Sequence, residues 1–352
     1  NGSSCSWQPN GGGVAVIDTG TIITMNNSRM VDVVEVRKDA ALIGASANLL
    51  FTANAGLYIF DNGYFNFPGD IDVKGNVTLN GNGISRFQKN FNIDGDLFIA
   101  SNAKLLNATS SSLDLTIGGN LSIYGILQDA ATNNIVLDGG NTSIKGTGSI
   151  LNARNIVIKN GDKTVEPATD LYIESGMQFL GPYTVYNYGK INLRGSMDAS
   201  DPEAAWINEI NSFFSYGGGI TMFRTNGLLE AIAHGNTISY SGITDQSIIL
   251  SEFVHYYNLM LEGSGLKTLL SNVHLHGNFT ANARFAHNNK AINFHGDEMQ
   301  YISGTVPPTL YDMNMINSGP GLTLQTPVFV DHNLGLINGK IFTSTVNLLT
   351  KV

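Results

Sequence analysis

A chain of 352 residues with 42% hydrophobic and only 13% charged residues, 40 glycines and 9 prolines has the apolar material for a core and little of the charge that keeps disordered segments solvated. A net charge of −9, with 19 Lys and Arg scattered and no basic run, argues against phosphate-tracking nucleic-acid binding and against docking on an anionic membrane surface. No stretch approaches the roughly 20 apolar residues of a membrane-spanning helix, and Cys5, alone, can build neither an internal disulfide nor a thiol zinc cluster.

Residues 1–30, with Trp7, Pro9 and the run Gly11-Gly12-Gly13, are expected to cover the open end of a stacked sheet, because an uncovered coil offers unpaired backbone groups to other chains. The opening NGSSCSWQPNGGG has neither the basic start nor the apolar core of a signal peptide, so a secreted form would already have lost one.

Over 31–197 a nine-letter word recurs: IDVKGNVTL at 71, FNIDGDLFI at 91 and LTIGGNLSI at 115, followed farther on by VHLHGNFTA at 273 and VFVDHNLGL at 328. Its form is a period-two apolar pattern on both sides of a two-residue break, Gly-Asn or Gly-Asp in four copies and His332-Asn333 in the last, which describes two short strands meeting at a corner. At such a corner Gly is expected to supply positive φ, and Asn or Asp to bond the backbone nearby. The apolar residues Val73, Ile93, Ile117, Leu137 and Ile158 follow at intervals of about 20 to 24 residues, with Ile173 and Leu193 continuing less regularly. That interval suits one coil of a β-solenoid, whose inward Ile, Val, Leu and Phe stack into columns while Asn and Thr line the outside. A hairpin sandwich is the rival architecture, and the near-identical corners at coil intervals favour the solenoid.

Residues 198–235 break the rhythm. In MDASDPEAAWINEINSFFSYGGG, Ser200 suits a helix cap, Pro202 a first helical position and Glu203 a capping box, which predicts a short helix over 201–214. Its apolar residues, among them Trp206, would pack on the solenoid flank or mark a partner site.

The last third carries a longer repeat. ISYSGITDQSIILSEFVHYYNLMLEGSGLKTL from Ile238 aligns with INFHGDEMQYISGTVPPTLYDMNMINSGPGLTL from Ile292, matching Gln246 with Gln300, Tyr257 with Tyr311 and Leu269 with Leu324. Two tandem modules, 236–291 and 292–352, are expected, and the final IFTSTVNLLTKV reads as another strand pair without a cap, as though the chain continued.

The module built from Tyr257-Asn258-Leu259, Gly263-Ser264-Gly265, Lys267-Thr268-Leu269 and Gly277-Asn278-Phe279 resembles repeats in large cell-surface proteins of Bacteroidota exported by the type IX secretion system. The resemblance is clearest over 236–352 and looser over 71–197. It implies an extracellular, cell-surface location, export by the type IX machinery, and service as an adhesin, a gliding-associated protein or a stalk. Members of that group usually end in a C-terminal sorting domain, which this sequence does not display.

Residues able to do chemistry compete throughout with the needs of turns. Polysaccharide-degrading enzymes also use β-helices; glycoside hydrolysis needs two carboxyl groups roughly 5 to 9.5 Å apart, and Asp70, Asp72, Asp94, Asp96, Asp114 and Asp138 lie on or beside the coil words, where corners already call for polar residues. Asp198, Asp201 and Glu203 form the densest acidic group, at a site that also suits a helix start. Asp297 and Glu298 fall in a predicted turn. His274 and His276 alternate on one strand and so share a face, from which they could bind a metal with a third ligand such as His332, although two outward polar residues need no metal. The Asp and Asn corners offer calcium its oxygen donors, but the glycine-rich nonapeptide of calcium-binding β-rolls is absent. No nucleophile elbow, phosphate loop or dinucleotide fingerprint occurs. For a glycan, Tyr183, Tyr186 and Tyr188 are the best aromatic group, though strand packing explains them as well.

The sequence therefore predicts an all-β parallel β-helix or β-solenoid, right-handed, with one short helical insertion. It is expected to be non-catalytic, secreted, and a structural or adhesive module of a larger exported protein. The alternatives are a polysaccharide lyase or glycosidase and a carbohydrate-binding module.

Overall fold

The computed structural model describes residues 13–107, 113–130, 133–219, 222–223, 226–249 and 255–352. Cys5, Trp7 and Pro9 of the predicted cover lie outside the described residues. Those described form 43 strands and no helix, and no helix among them is long and apolar enough to cross a membrane. The strands pair in parallel throughout, each with its counterpart about one coil away, so the fold is an all-β parallel β-solenoid in two compact units, Asn1–Gly161 and Asp162–Val352.

In the first unit the repeated word does what its alternation predicts. IDVKGNVTL forms the strands Asp70–Val73 and Asn76–Asn80, FNIDGDLFI forms Phe91–Ile93 and Leu97–Ile99, and LTIGGNLSI forms Leu115–Ile117 and Leu121–Ile123. One coil earlier the strand Leu50–Phe60 runs through the corner unbroken and pairs with both Asp70–Val73 and Asn76–Asn80. Register then builds the core. Phe51, Ile71, Phe91, Leu115, Ile135 and Ile156 stand in one column, and Ala53, Val73, Ile93, Ile117, Leu137 and Ile158 in the next. All twelve are buried, and each large aliphatic or Phe side chain so placed stabilises the unit by about 1.5–3 kcal/mol relative to exposure.

The corner glycines have a different cause from the one expected. Gly75, Gly95 and Gly119 do not adopt positive φ. A Cβ on Gly75 would lie 1.8 Å from the Ala55 carbonyl oxygen, and one on Gly95 would lie 2.3 Å from Asn76 Oδ1 and 2.7 Å from the Gly75 backbone. Glycine is required because successive coils approach too closely there for a side chain. The residue after each glycine then ties coil to coil. Asn76 Oδ1 accepts the Asp96 N–H at 2.8 Å, Asp96 Oδ1 accepts the Asn120 N–H at 2.7 Å, and Asn120 Oδ1 accepts the Ser143 N–H at 2.8 Å.

In the second unit the same logic runs through Leu171, Ile191, Phe214, Ile238, Leu259, Phe279, Ile302 and Leu324, which pair in sequence and are buried. VHLHGNFTA again splits into Val273–Leu275 and Phe279–Ala281. VFVDHNLGL, whose corner has His332 in place of Gly, instead lies within the unbroken strand Val328–Asn338.

The predicted helix over 201–214 does not form. Ala205–Asn208 and Phe213–Tyr216 are strands, the first paired in parallel with Thr184–Asn187 and with Leu228–Glu230. The residues of the helix-start signal serve other ends: the hydroxyl of Ser200, the predicted cap, donates to the Phe179 carbonyl at 3.1 Å, and the neighbouring Asp201 forms a turn, its carboxylate accepting the Glu203 N–H at 2.9 Å and its carbonyl the Ala204 N–H at 3.3 Å. Trp206 then fits a core column opposite Val185 and Leu229, so ladder pairing on both sides overrides local helix propensity.

The aligned modules also sit differently in the solenoid. Thr237–Tyr240 pairs with Phe213–Tyr216 and Asn258–Leu261, whereas its sequence counterpart Ala291–Phe294 pairs with Val273–Leu275 and Thr309–Ile316 in another sheet. Coil partners Ile238, Leu259, Phe279, Ile302 and Leu324 are 20 to 23 residues apart, so the offset of 54 spans about two and a half coils and lands on a different face. What the modules share is a buried glutamine. Gln246 Nε2 donates to the Tyr216 and Gly218 carbonyls at 3.1 and 3.3 Å, and Gln300 Nε2 donates to the Leu275 and Gly277 carbonyls at 3.1 and 2.7 Å. One coil beyond Gln246 stands Lys267, fully buried, its Nζ donating to the Gly242 carbonyl at 2.7 Å; burial pushes this amine down to about 8.

Candidate functional site

The residues singled out in the sequence fall into different environments. Trp206 is fully buried, its ring stacked on Phe214 at 4.3 Å and its Nε1 donating to Asn208 Oδ1 at 3.3 Å, so its indole serves the core and offers no surface to a partner. Tyr186 and Tyr188 alternate along one strand and its exit, beside Glu209, whose carboxylate raises the Tyr188 phenol above its ordinary value. The Tyr183 ring lies instead over the backbone of Gly181. The acids of the first unit are mostly tied into the scaffold. Lys74 bridges Asp72 and Asp94 at 2.9 and 3.6 Å, Lys159 holds Asp138 at 3.0 Å, and Asp114 accepts the Asn134 N–H at 3.2 Å.

Among the described residues the histidines, all seven of which lie after residue 230, build a cluster of titratable side chains. His274, outward between the buried Val273 and Leu275, pairs in register with His255 on one side and Asn293 on the other, and Asn314 follows. His276 and His295 extend the same face two residues farther along. The strand period of two and the coil interval together place four imidazoles on a grid. His255 and His274 stack at 4.8 Å between ring centres with 11° between planes. Across the grid, His255 Nδ1 meets His276 Nε2 at 2.8 Å and His274 Nδ1 meets His295 Nε2 at 2.9 Å. All four are half-buried. Burial, then the neighbouring imidazoles, holds His274, His276 and His295 below the ordinary histidine range.

Two further groups continue this chemistry. At one edge His234 packs on Tyr257 at 4.8 Å, and Glu298 accepts the Tyr257 hydroxyl at 2.9 Å and faces His234 at 3.3 Å. These contacts, Tyr257 first, lower the Glu298 carboxyl, while burial and Glu298 push the Tyr257 phenol up to about 12. Elsewhere in the unit Tyr311 stacks on His332 at 4.6 Å with 9° between planes and lies 5.5 Å from His287; Asp312 holds His332 at 2.8 Å and Asp331 holds His287 at 2.9 Å.

His274 and His276 thus share a face, as their alternation predicts. His332, the example of a third ligand weighed beside them, is instead engaged by Asp312 and Tyr311, and the neighbours are His255 and His295. The intervals of 19 and 21 residues separating His255, His274, His276 and His295 are coil lengths, the signal that would have grouped them. Among the described residues no three His, Cys, Asp or Glu side chains are arranged to hold a metal ion. In the grid the close contacts are nitrogen to nitrogen, with ring centres 5.1 and 4.9 Å apart, which sets the rings edge to edge across one shared proton rather than around a common point. The arrangement can accept and release protons; it shows no nucleophile paired with a base.

No protein-family model, no curated protein and no solved structure matches this chain.

Proposed function

We propose that the chain is a non-catalytic, secreted β-solenoid of the cell surface, a structural or adhesive module of a larger protein of the Bacteroidota type, exported through the type IX machinery. The observation that supports this most is the coil-to-coil tie at every level of the fold. Parallel backbone ladders, buried apolar columns and the Asn76–Asp96–Asn120–Ser143 corner ladder each link one coil to the next, as a module that bears tension or presents a surface requires. Antibody labelling of intact cells of the source organism, repeated after deletion of the export machinery, tests it. Surface signal that is lost with the export machinery is expected; signal confined to the cell interior would refute the proposal.

A glycan ligand is the second reading, favoured by Tyr186 and Tyr188 on one face beside Glu209. A glycan array read with the wild type and with Tyr186→Ala/Tyr188→Ala should lose its signal in the variant, and unchanged binding would remove this reading. Turnover of acidic or neutral glycans by the purified chain would instead establish the polysaccharide-degrading alternative.

A further inference from the structure

The imidazole grid differs from the other outward ladders in what its hydrogen bonds demand. An Asn or Asp oxygen that accepts a backbone N–H does so at any pH where the side chain keeps its acceptor. A nitrogen-to-nitrogen contact between imidazoles needs one ring to donate and the other to accept, which two neutral rings, or one neutral and one cationic ring, provide and two imidazolium rings do not. The grid contains two such contacts, His255 with His276 and His274 with His295, and they lie against each other, with His255 and His274 stacked at 4.8 Å.

In each pair the donating ring keeps one nitrogen outside the contact, which takes a first proton and leaves the contact intact; in His274 that nitrogen, Nε2, gives up a 3.5 Å contact from Asn293 Nδ2. The other ring is already N–H at its outer nitrogen, so a second proton can go only to the nitrogen that accepts the contact. There it converts N–H···N into two opposed N–H groups. Charge on one pair also lies against the other pair in a half-buried setting, where repulsion is screened less than in water.

We propose that His255, His274, His276 and His295 form an acid-responsive latch that joins three successive coils while the imidazoles are neutral and opens when both rings of a pair are protonated. The groups facing the latch are few. Glu230 precedes Ala231, which bridges Tyr256, and so stands one coil before His255 in register. Tyr257 borders His276 with its hydroxyl committed to Glu298, which also faces His234. Asp297 is the carboxylate that works against the lowering at His276, and the neutral Asn293 and Asn314 continue the column on the far side. The lowered imidazole values fit this environment: one opposing carboxylate beside a four-ring cluster does not offset burial.

The column itself supplies the control. Asn293 and Asn314 occupy the positions that continue His255 and His274, and Asn314 Nδ2 donates to Asn293 Oδ1 at 2.8 Å, so Asn is accepted at this site and carries no titrating charge. The experiment is hydrogen exchange on the full chain at pH 7.5 and pH 5, corrected for intrinsic exchange, with ¹⁵N spectra of the imidazoles recorded over the same range. In the wild type, amides of the strands Val273–Leu275 and Ala291–Phe294 should exchange about tenfold faster at pH 5, and the spectra should show loss of the shared-proton contacts in the same interval. In His255→Asn/His274→Asn that acid sensitivity should vanish. His276→Gln/His295→Gln, which replaces the other ring of each pair by an amide that donates and accepts without charge, gives a second variant with the same expectation should the first fold poorly. Equal protection of the wild type at both pH values, or acid loosening that persists in the folded variants, would overturn the latch.

Discussion

The corner ladder of the first unit and the imidazole grid of the second are both columns of side chains repeated once per coil, yet they respond to different things. In the corner ladder each side-chain oxygen accepts a backbone N–H of the next coil, from Asn76 through Asp96 and Asn120 to Ser143. The donor is peptide and does not titrate near neutral pH. In the grid both partners are side chains that titrate. Stacking therefore sets where a column runs, and the residue type decides whether it is fixed or conditional.

That contrast can be broken most severely at the corner itself. Gly75→Ala drives a methyl group into the Ala55 carbonyl and should cost the first unit about 3 kcal/mol or more, because the obstacle is backbone rather than a movable side chain. Urea unfolding followed by probes in each unit would measure it, and the loss should not depend on pH.

From the basic side, the buried Lys267 gives the second unit a pH dependence of its own. Its amine is lowered to about 8 in the fold against an ordinary 10.5, so the folded state binds fewer protons between those values. Stability should therefore rise as pH climbs above 8, by up to about 3 kcal/mol in the limit of a full shift. The rise is cut off near pH 10. There the buried Tyr240, pushed up to about 12, and Tyr256, raised well above the usual phenol value, resist ionising in the fold, so stability falls above their unfolded value. Thermal melts of the wild type and Lys267→Met from pH 7 to 11 should show the rise in the first and a flat profile up to pH 10 in the second.

A smaller effect isolates the ladder hydrogen bonds. Asp96→Ala removes the acceptor for the Asn120 N–H and Nδ2 and should cost about 1–2 kcal/mol equally at pH 7.5 and pH 5.5, whereas Asp96→Asn keeps the acceptor and should stay within about 0.5 kcal/mol. The second unit should behave oppositely over the same interval. His274, His276 and His295 have folded values below the unfolded one near 6.5, so the stability their neutral forms confer is present above 6.5 and declines as pH falls through it. Denaturant melts of the second unit at the two pH values would reveal the loss that the corner ladder lacks.

How much of each feature is legible in the sequence depends on how local its cause is. The word IDVKGNVTL announces two strands and a corner because alternation is a property of consecutive residues, and the core columns follow once a coil interval is found. The reason for Gly75 and Gly95 is not local: it is the distance to the preceding coil. Trp206 reads as helical because Ser200, Pro202 and Glu203 carry a genuine helix-start pattern, which a strand end and a single turn satisfy equally well. His274 and His276 group by alternation within one strand. His255 and His295 escape that reading because their neighbourhood is created by coil length, and the 54-residue alignment points to a period that carries residues to another face.

Lys267 has one further consequence. An amine sealed inside a coil is invisible to acylating reagents until that coil separates, as is the equally buried Lys163, whereas exposed amines such as Lys74 and Lys190 react at once. The chain thus carries its own chemical tracer of opening: a mass-spectrometric record of which lysines become acylated over time would time the parting of coils without any added probe.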